Sequence, residues 1–404
     1  MNLINSKNRN RRCDFLFKLL IFTTFFSEPV VSAHFLLNYT AVIDYIIMAF
    51  LLVVVYAYKI PNRRVYPIAK FSIFAFIFIL LKSIIVDGIS EVFGSNIGLY
   101  IKTLFSLIYL YVCYTIFEER KLIVSFRVWE KFLFWICCCS IITYFLYIFG
   151  FHFLFFKKEV LNYPCEQIPF VGLVHYDDNN KIRPSWLFYE PSYLGDILGF
   201  NFMMIYNYYM KFKKKKKLIV YILAIVVCGS ITGVGCTVAA ICANFLLNKL
   251  GFLKKHIILP KLIMLFLVPT VLTIYATYDA TNLIERGESI GGTSISTRQT
   301  RLAYGLQQIN NASTYELVFG RGKDFNKLGL GVSNCYAQLL CADGLLVLIL
   351  FVSIVFVLLK RTNYEFYFMI IAMNAIDLSF LPFLMLMMVV VYQFYKCNYL
   401  QHFA

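Results

Sequence analysis

Phe132 to Phe155 reads FLFWICCCSIITYFLYIFGFHFLF, 24 residues without one Lys, Arg, Asp or Glu. About 20 apolar residues suffice for a helix to cross the roughly 30 Å hydrocarbon core of a bilayer. Working outward, comparable apolar runs lie near 15–35, 40–58, 66–86, 97–117, 187–210, 218–230, 231–248, 257–276, 335–359, 364–378 and 380–396. With 132–155 these make twelve. The composition agrees: 60% of the 404 residues are hydrophobic, 15% are charged and the mean hydropathy is +0.71. A soluble domain carries roughly 45–50% apolar and about 25% charged residues. A soluble fold would have to expose much of its 41 Phe and 29 Tyr. The expected fold is therefore an all-α polytopic integral membrane protein of about 12 transmembrane helices, residues 1–404 forming a single membrane domain.

The net charge of +16 does not indicate nucleic acid, because the basic residues fall in clusters between the apolar runs. With the N-terminus inside, Lys7 to Arg12, Lys59 to Lys70, Arg120 to Lys131, Lys211 to Lys217, Lys249 to Lys261, Lys360, Arg361 and Lys396 share one side. That side holds 25 of the 38 basic residues, the bias that places it in the cytoplasm. Both termini are then cytoplasmic. The 33 residues from 218 to 250 are broken by Gly229, Gly233 and Gly235 and flanked by lysines at both ends, so they are read as two short helices. The basic start, the apolar run Phe15 to Phe26 and Val31-Ser32-Ala33 imitate a cleavable signal; Lys18 within the run favours a retained helix. Most of the 12 cysteines sit in apolar runs as small hydrophobes. Cys165 and Cys335 fall in loops, where a bridge between them is an option.

Two long loops face outward, 156–186 and 278–334, and function is expected there. The second contains a helix-like stretch from Thr297 to Asn310 with Ser296 as its cap. Neither GxxxxGK[ST], HExxH, a CxxC pair nor a loop DxD occurs, so neither a nucleotide nor a metal cofactor is expected. Arg183 in the first loop and Arg286, Arg298, Arg301 and Arg321 in the second all face the same compartment. A guanidinium grips phosphate bidentately and keeps its charge, which suits a lipid-borne pyrophosphate. The competing assignment pairs them with Glu285, Glu288, Glu316 or headgroups. Glu190 stands seven residues after Arg183, where an apolar helix begins at Pro191. A carboxylate there is costly unless paired or functional. It is read either as a reactive group or as the ion-pair partner of Arg183. Asp44, Asp196 and Asp377 are intramembrane acids that would suit an ion path.

The segment RPSWLFYEPSYLGDIL (183–198), the lysine run, GSITGVG (229–235), STRQTRLAYGL (296–306), the VFGRG loop (318–322) and SNCYAQLLCADGLLVLILF (333–351) together resemble the O-antigen polymerase (Wzy) and O-antigen ligase superfamily. The resemblance covers residues 183–361. It implies transfer of an oligosaccharide from undecaprenyl pyrophosphate, at a bacterial cytoplasmic (inner) membrane, without metal or nucleotide. The ligases carry a His, then Asn, Ser or Gln, nine residues and Gly; here Ser333-Asn334 and Gly344 keep that spacing, with Ser333 in place of the His. A hydroxyl is a poor base beside imidazole, which favours polymerase over ligase. Asp343 reads as a turn residue. The resemblance implies Glu190, Arg183, Arg298 and Arg301 as catalytic residues and Arg321, Tyr193 and Asn334 as substrate contacts. The expected partners are undecaprenyl-pyrophosphate-linked oligosaccharides, the membrane and a chain-length regulator protein. The alternatives are a flippase for the same lipid-linked sugars, which would need its charges inside the spans, or a ligase.

Overall fold

The computed structural model describes residues 15, 18, 66–88, 122–160, 163–168, 171–176, 182–186, 188, 191–249, 258–268, 305, 307–322, 335–373 and 381–396. They are mostly helical. The chain divides into two compact units. One comprises Met1–Ile68, Ile108–Ala239 and Ser379–Ala404; the other comprises Ala69–Leu107 and Ala240–Leu378.

The first unit holds α2 (Leu122–Ile148), α3 (Pro191–Lys211), α4 (Lys215–Val227), the start of α5 (Ile231–Lys249) and α10 (Leu381–Lys396). Helix α4 packs on α2 and α3, and α10 on the same two. Several polar groups buried by that packing are hydrogen-bonded, as burial favours. The Trp129 indole N–H donates to Asn201 Oδ1 at 3.1 Å, and the Tyr221 hydroxyl donates to the Leu198 carbonyl at 2.9 Å. Buried Glu130 accepts from the Tyr209 hydroxyl at 2.9 Å and from Lys217 Nζ at 2.8 Å, so one member of the lysine run is tied into the helix bundle. Residues Cys228 to Ser230 break the long apolar stretch as expected. Gly229 takes φ +60°, open to glycine at little cost, and Ser230 Oγ accepts from the Gly233 N–H at 3.0 Å, capping the first turn of α5.

The all-α expectation is corrected at 156–186. Four antiparallel strands in the order β1-β2-β3-β4 run there: Phe156–Val160, Tyr163–Ile168, Gly172–Tyr176 and Ile182–Trp186. Pro164 and Pro184 hide the strands from a sequence reading, because proline cannot donate to a ladder. The fold tolerates them at a strand start and on edge strand β4, where a bulge at Leu173/Val174 faces Pro184. Trp186, at φ +54°, closes β4 and packs edge-on against Trp135 and Phe188 at 5.2 and 5.3 Å. Strands β3 and β4 both rest on α2, and β4 also touches α3. At Gly172 an added Cβ would stand 2.3 Å from Thr143 Oγ1, so only glycine permits that approach of sheet to helix. The span expected at 132–155 is shifted: α2 begins ten residues earlier and stops at Ile148, where Gly150 at φ +80° turns the chain towards the sheet.

The second unit holds most of α1 (Tyr66–Asp87), an apolar helix α6 (Leu259–Val268), α7 (Thr314–Phe319), α8 (Cys335–Leu359) and α9 (Tyr364–Ala372). Helix α8 contains a π-helical turn at Leu339–Asp343. Asp343 is a turn residue before a helix, as expected, at the end of that turn; it is also buried and paired with Lys82 of α1 at 3.6 Å. Such a pair needs two distant segments, which a local reading does not connect. Lys261 donates to the Leu359 carbonyl at 3.1 Å, a cation closing the C-terminus of α8. The VFGRG loop lies on the π turn: the Arg321 and Gly322 N–H groups donate to the carbonyls of Cys341 and Ala342 at 2.8 and 3.1 Å. Helix α7 was not expected; Ser313 and Glu316 cap it reciprocally. Of the stretch 297–310, residues 305 and 307–310 are helical and the others lie outside the described residues.

Two described helices, Phe126–Ile148 and Cys335–Leu359, are long and apolar enough to cross a membrane. Helix α1 turns Ile73, Phe74, Ile77, Leu81 and Ile85 outward, and α4 does the same with Ile219, Ile222, Leu223 and Val226. The spans expected at 40–58 and 97–117, and nearly all of 15–35, lie outside the described residues.

Candidate active site

In the first unit, the strand register assembles a site from three separated stretches of sequence. Cys165 of β2, His175 of β3 and Arg183 of β4 are direct cross-strand partners. Directly opposed residues in antiparallel strands share a face, so the three form one row. The row runs from β2 towards the turn between α4 and α5, where Arg183 reaches Gly229: a Cβ built there would lie 3.5 Å from Arg183 Cγ. Arg183 and Asp196, the latter buried on α3, both act electrostatically on Cys228 in that turn.

Close helix contact places α3 and α5 around the site. An added Cβ on Gly233 would stand 2.5 Å from Gly195 Cα, and one on Gly195 would stand 2.5 Å from Ser230 Cβ. The glycines of GSITGVG thus have separate uses: Gly229 turns the chain beside Arg183 and Gly233 admits α3.

Sequence reading passed over His175. It is 9% exposed, and its Nε2 has no hydrogen-bond partner among the described residues. Burial, the charge of Arg183 and, in opposition, a backbone hydrogen bond with Phe188 set its basicity, with the net effect of lowering its pKa to about 4. The imidazole is therefore neutral at pH 7. The available signal was a short one: one of only five histidines in the chain, inside the first outward loop and eight residues before Arg183.

Of the residues expected to be functional, Arg183 and Tyr193 fall in this unit, Tyr193 buried in the first turn of α3. Arg321 falls in the other unit, where it donates from Nη1 to Gln308 Oε1 at 2.8 Å and holds Glu316 at 3.3 Å. The pairing of Arg321 with Glu316 is the competing assignment of the sequence reading. Glu190, Arg298, Arg301 and Asn334 lie outside the described residues. Cys165 and Cys335 are buried thiols that form no disulfide. Among the described residues, no cluster of His, Cys, Asp and Glu is arranged to hold a metal.

Compared with family models, curated proteins and solved structures, nothing matches this chain.

Proposed function

We propose that the chain is a multi-pass enzyme of a bacterial cytoplasmic membrane that polymerises undecaprenyl-pyrophosphate-linked oligosaccharide repeat units into a surface polysaccharide. The observation that carries this reading is the meeting of Arg183 with Gly229. These residues belong to two of the sequence pieces that resemble the polymerases, 46 positions apart, and they come together on one side of the small sheet. A guanidinium beside a turn whose glycine leaves the backbone uncovered suits the oxygens of a pyrophosphate.

In this reading the growing chain leaves one lipid pyrophosphate and joins the terminal sugar of another. Charge develops on the departing pyrophosphate, and Arg183, with Arg298 and Arg301, neutralises it, the electrostatic effect that usually contributes most to such catalysis. Glu190 orients or deprotonates the acceptor hydroxyl. Twelve spans put the sheet and the 278–334 loop on the outer face, with both termini and the lysine run inside. The outward-facing apolar side chains of α1 and α4 support a lipid surrounding.

Purified protein in proteoliposomes, given undecaprenyl-pyrophosphate repeat units alone, tests the reading. A ladder of multiples of the repeat is expected. Failure to make dimers under conditions that keep the protein folded would refute it.

A further inference from the structure

We propose that a phosphate group held by Arg183 converts His175 into the proton acceptor of the transfer step. This rests on the polymerase reading for the identity of the proton donor, a sugar hydroxyl, but the coupling between the two side chains is a property of the sheet itself.

The geometry comes first. His175 and Arg183 are opposed across β3 and β4, so a cation stands permanently beside a buried imidazole. Among the described residues, the other groups near the pair are few. Strand β2 brings Cys165, and Asp196 acts, as Arg183 does, on Cys228. Helix α2 approaches β3 with Thr143 near its C-terminus, whereas its charged residues, Arg127, Glu130 and Lys131, lie within its first ten positions and Glu130 is engaged by Tyr209 and Lys217. Among the described residues, Arg183 is accordingly the charge that acts on His175.

An anion on Arg183 cancels part of that charge. The imidazolium then gains stability relative to the imidazole, and the proton affinity of Nε2 rises. The base is strengthened only when the pyrophosphate is in place. In the step itself Glu190 orients the acceptor, whose O–H proton passes to Nε2 while its oxygen bonds to the anomeric carbon. The bond from that carbon to the pyrophosphate oxygen breaks, and the pyrophosphate leaves with the electron pair beside Arg183. The imidazolium returns its proton to water when the anion departs. Even unassisted, a base with a pKa of about 4 matches the carboxylates that serve as general bases at sugar carbons.

The experiment uses the full chain in nanodiscs with histidine labelled at Cε1. Each imidazole is titrated by NMR with and without inorganic pyrophosphate, and His175 is identified by the signal lost in His175→Gln. Pyrophosphate should raise the pKa of His175 by about one unit. In Arg183→Gln that pKa should start higher and ignore pyrophosphate. An unchanged value at saturating pyrophosphate overturns the coupling, as does failure of pyrophosphate to bind. In the proteoliposome assay, His175→Gln should lose polymer at least 100-fold, keep its thermal midpoint at pH 7, and lose the acid limb of the pH profile. Wild-type activity with full activity in His175→Gln overturns this proposal and leaves the polymerase reading standing. An inactive wild type that still shows the pyrophosphate-induced shift removes the polymerase reading, and the proton-acceptor role with it.

Discussion

Gly233 of α5 meets Gly195 of α3 backbone to backbone, with room for no side chain: a methyl group on Gly233 would stand 2.4 to 2.7 Å from the Cα and carbonyl of Gly195. Gly235, two residues further along the same helix, has nothing within 4 Å of where a Cβ would be. The contact sets the spacing of the two helices that flank Arg183.

Gly233→Ala is expected to destabilise the first unit by about 1–3 kcal/mol, the usual cost of overpacking. Gly235→Ala should be neutral or stabilise by up to about 1 kcal/mol, since alanine loses less entropy in a helix. Thermal unfolding of the two variants in one detergent makes the comparison. Equal midpoints would contradict the close crossing.

Arg183→Ala, Arg298→Ala and Arg301→Ala should each abolish polymer while protein levels in the membrane stay normal. Lysine should restore only part of the chain length at each position, because it keeps the charge and loses the planar fork. Full rescue by lysine at all three would show that charge alone is required. Glu190→Gln should likewise accumulate normally and make no polymer; near wild-type chain length would remove Glu190 from the site.

The depressed pKa of His175 makes a pH-dependent contribution to stability. The unfolded histidine titrates near pH 6.5 and the folded one at about 4, so between these values the unfolded chain takes up a proton that the folded chain refuses. Stability is full above pH 6.5 and falls as the pH drops towards 4, by about 3 kcal/mol in all. His175→Gln lacks this loss. The difference in unfolding free energy between wild type and variant, followed from pH 7 to pH 4, should therefore move in favour of the variant; a constant difference would place His175 in water.

Lys82 and Asp343 are both buried, and their 3.6 Å pairing compensates two desolvated charges. Removing either partner alone, as in Lys82→Met or Asp343→Leu, should cost about 3–5 kcal/mol, and the double variant should recover most of it. A double-mutant cycle on the thermal midpoint reads the coupling; additive losses would mean that the two side chains do not interact.

The sequence alone determined where many of the described helices lie. Runs of apolar residues between lysine clusters located α1, α3, α5, α8 and α10 to within a few residues, because helix placement here follows hydrophobicity and charge along the chain itself. The break at Gly229 was legible for the same reason: a glycine interrupts a helix locally. Tertiary structure decided the rest. The sheet at 156–186 depends on pairing between short strands, two of them carrying proline, and no strand alone has a strong signal. Asp343 becomes an ion-pair partner only because α1 brings Lys82 to it from 261 residues away. His175 acquires its weak basicity from burial and from the cation across the strand. Those properties belong to contacts between distant segments, which exist only once the chain has folded.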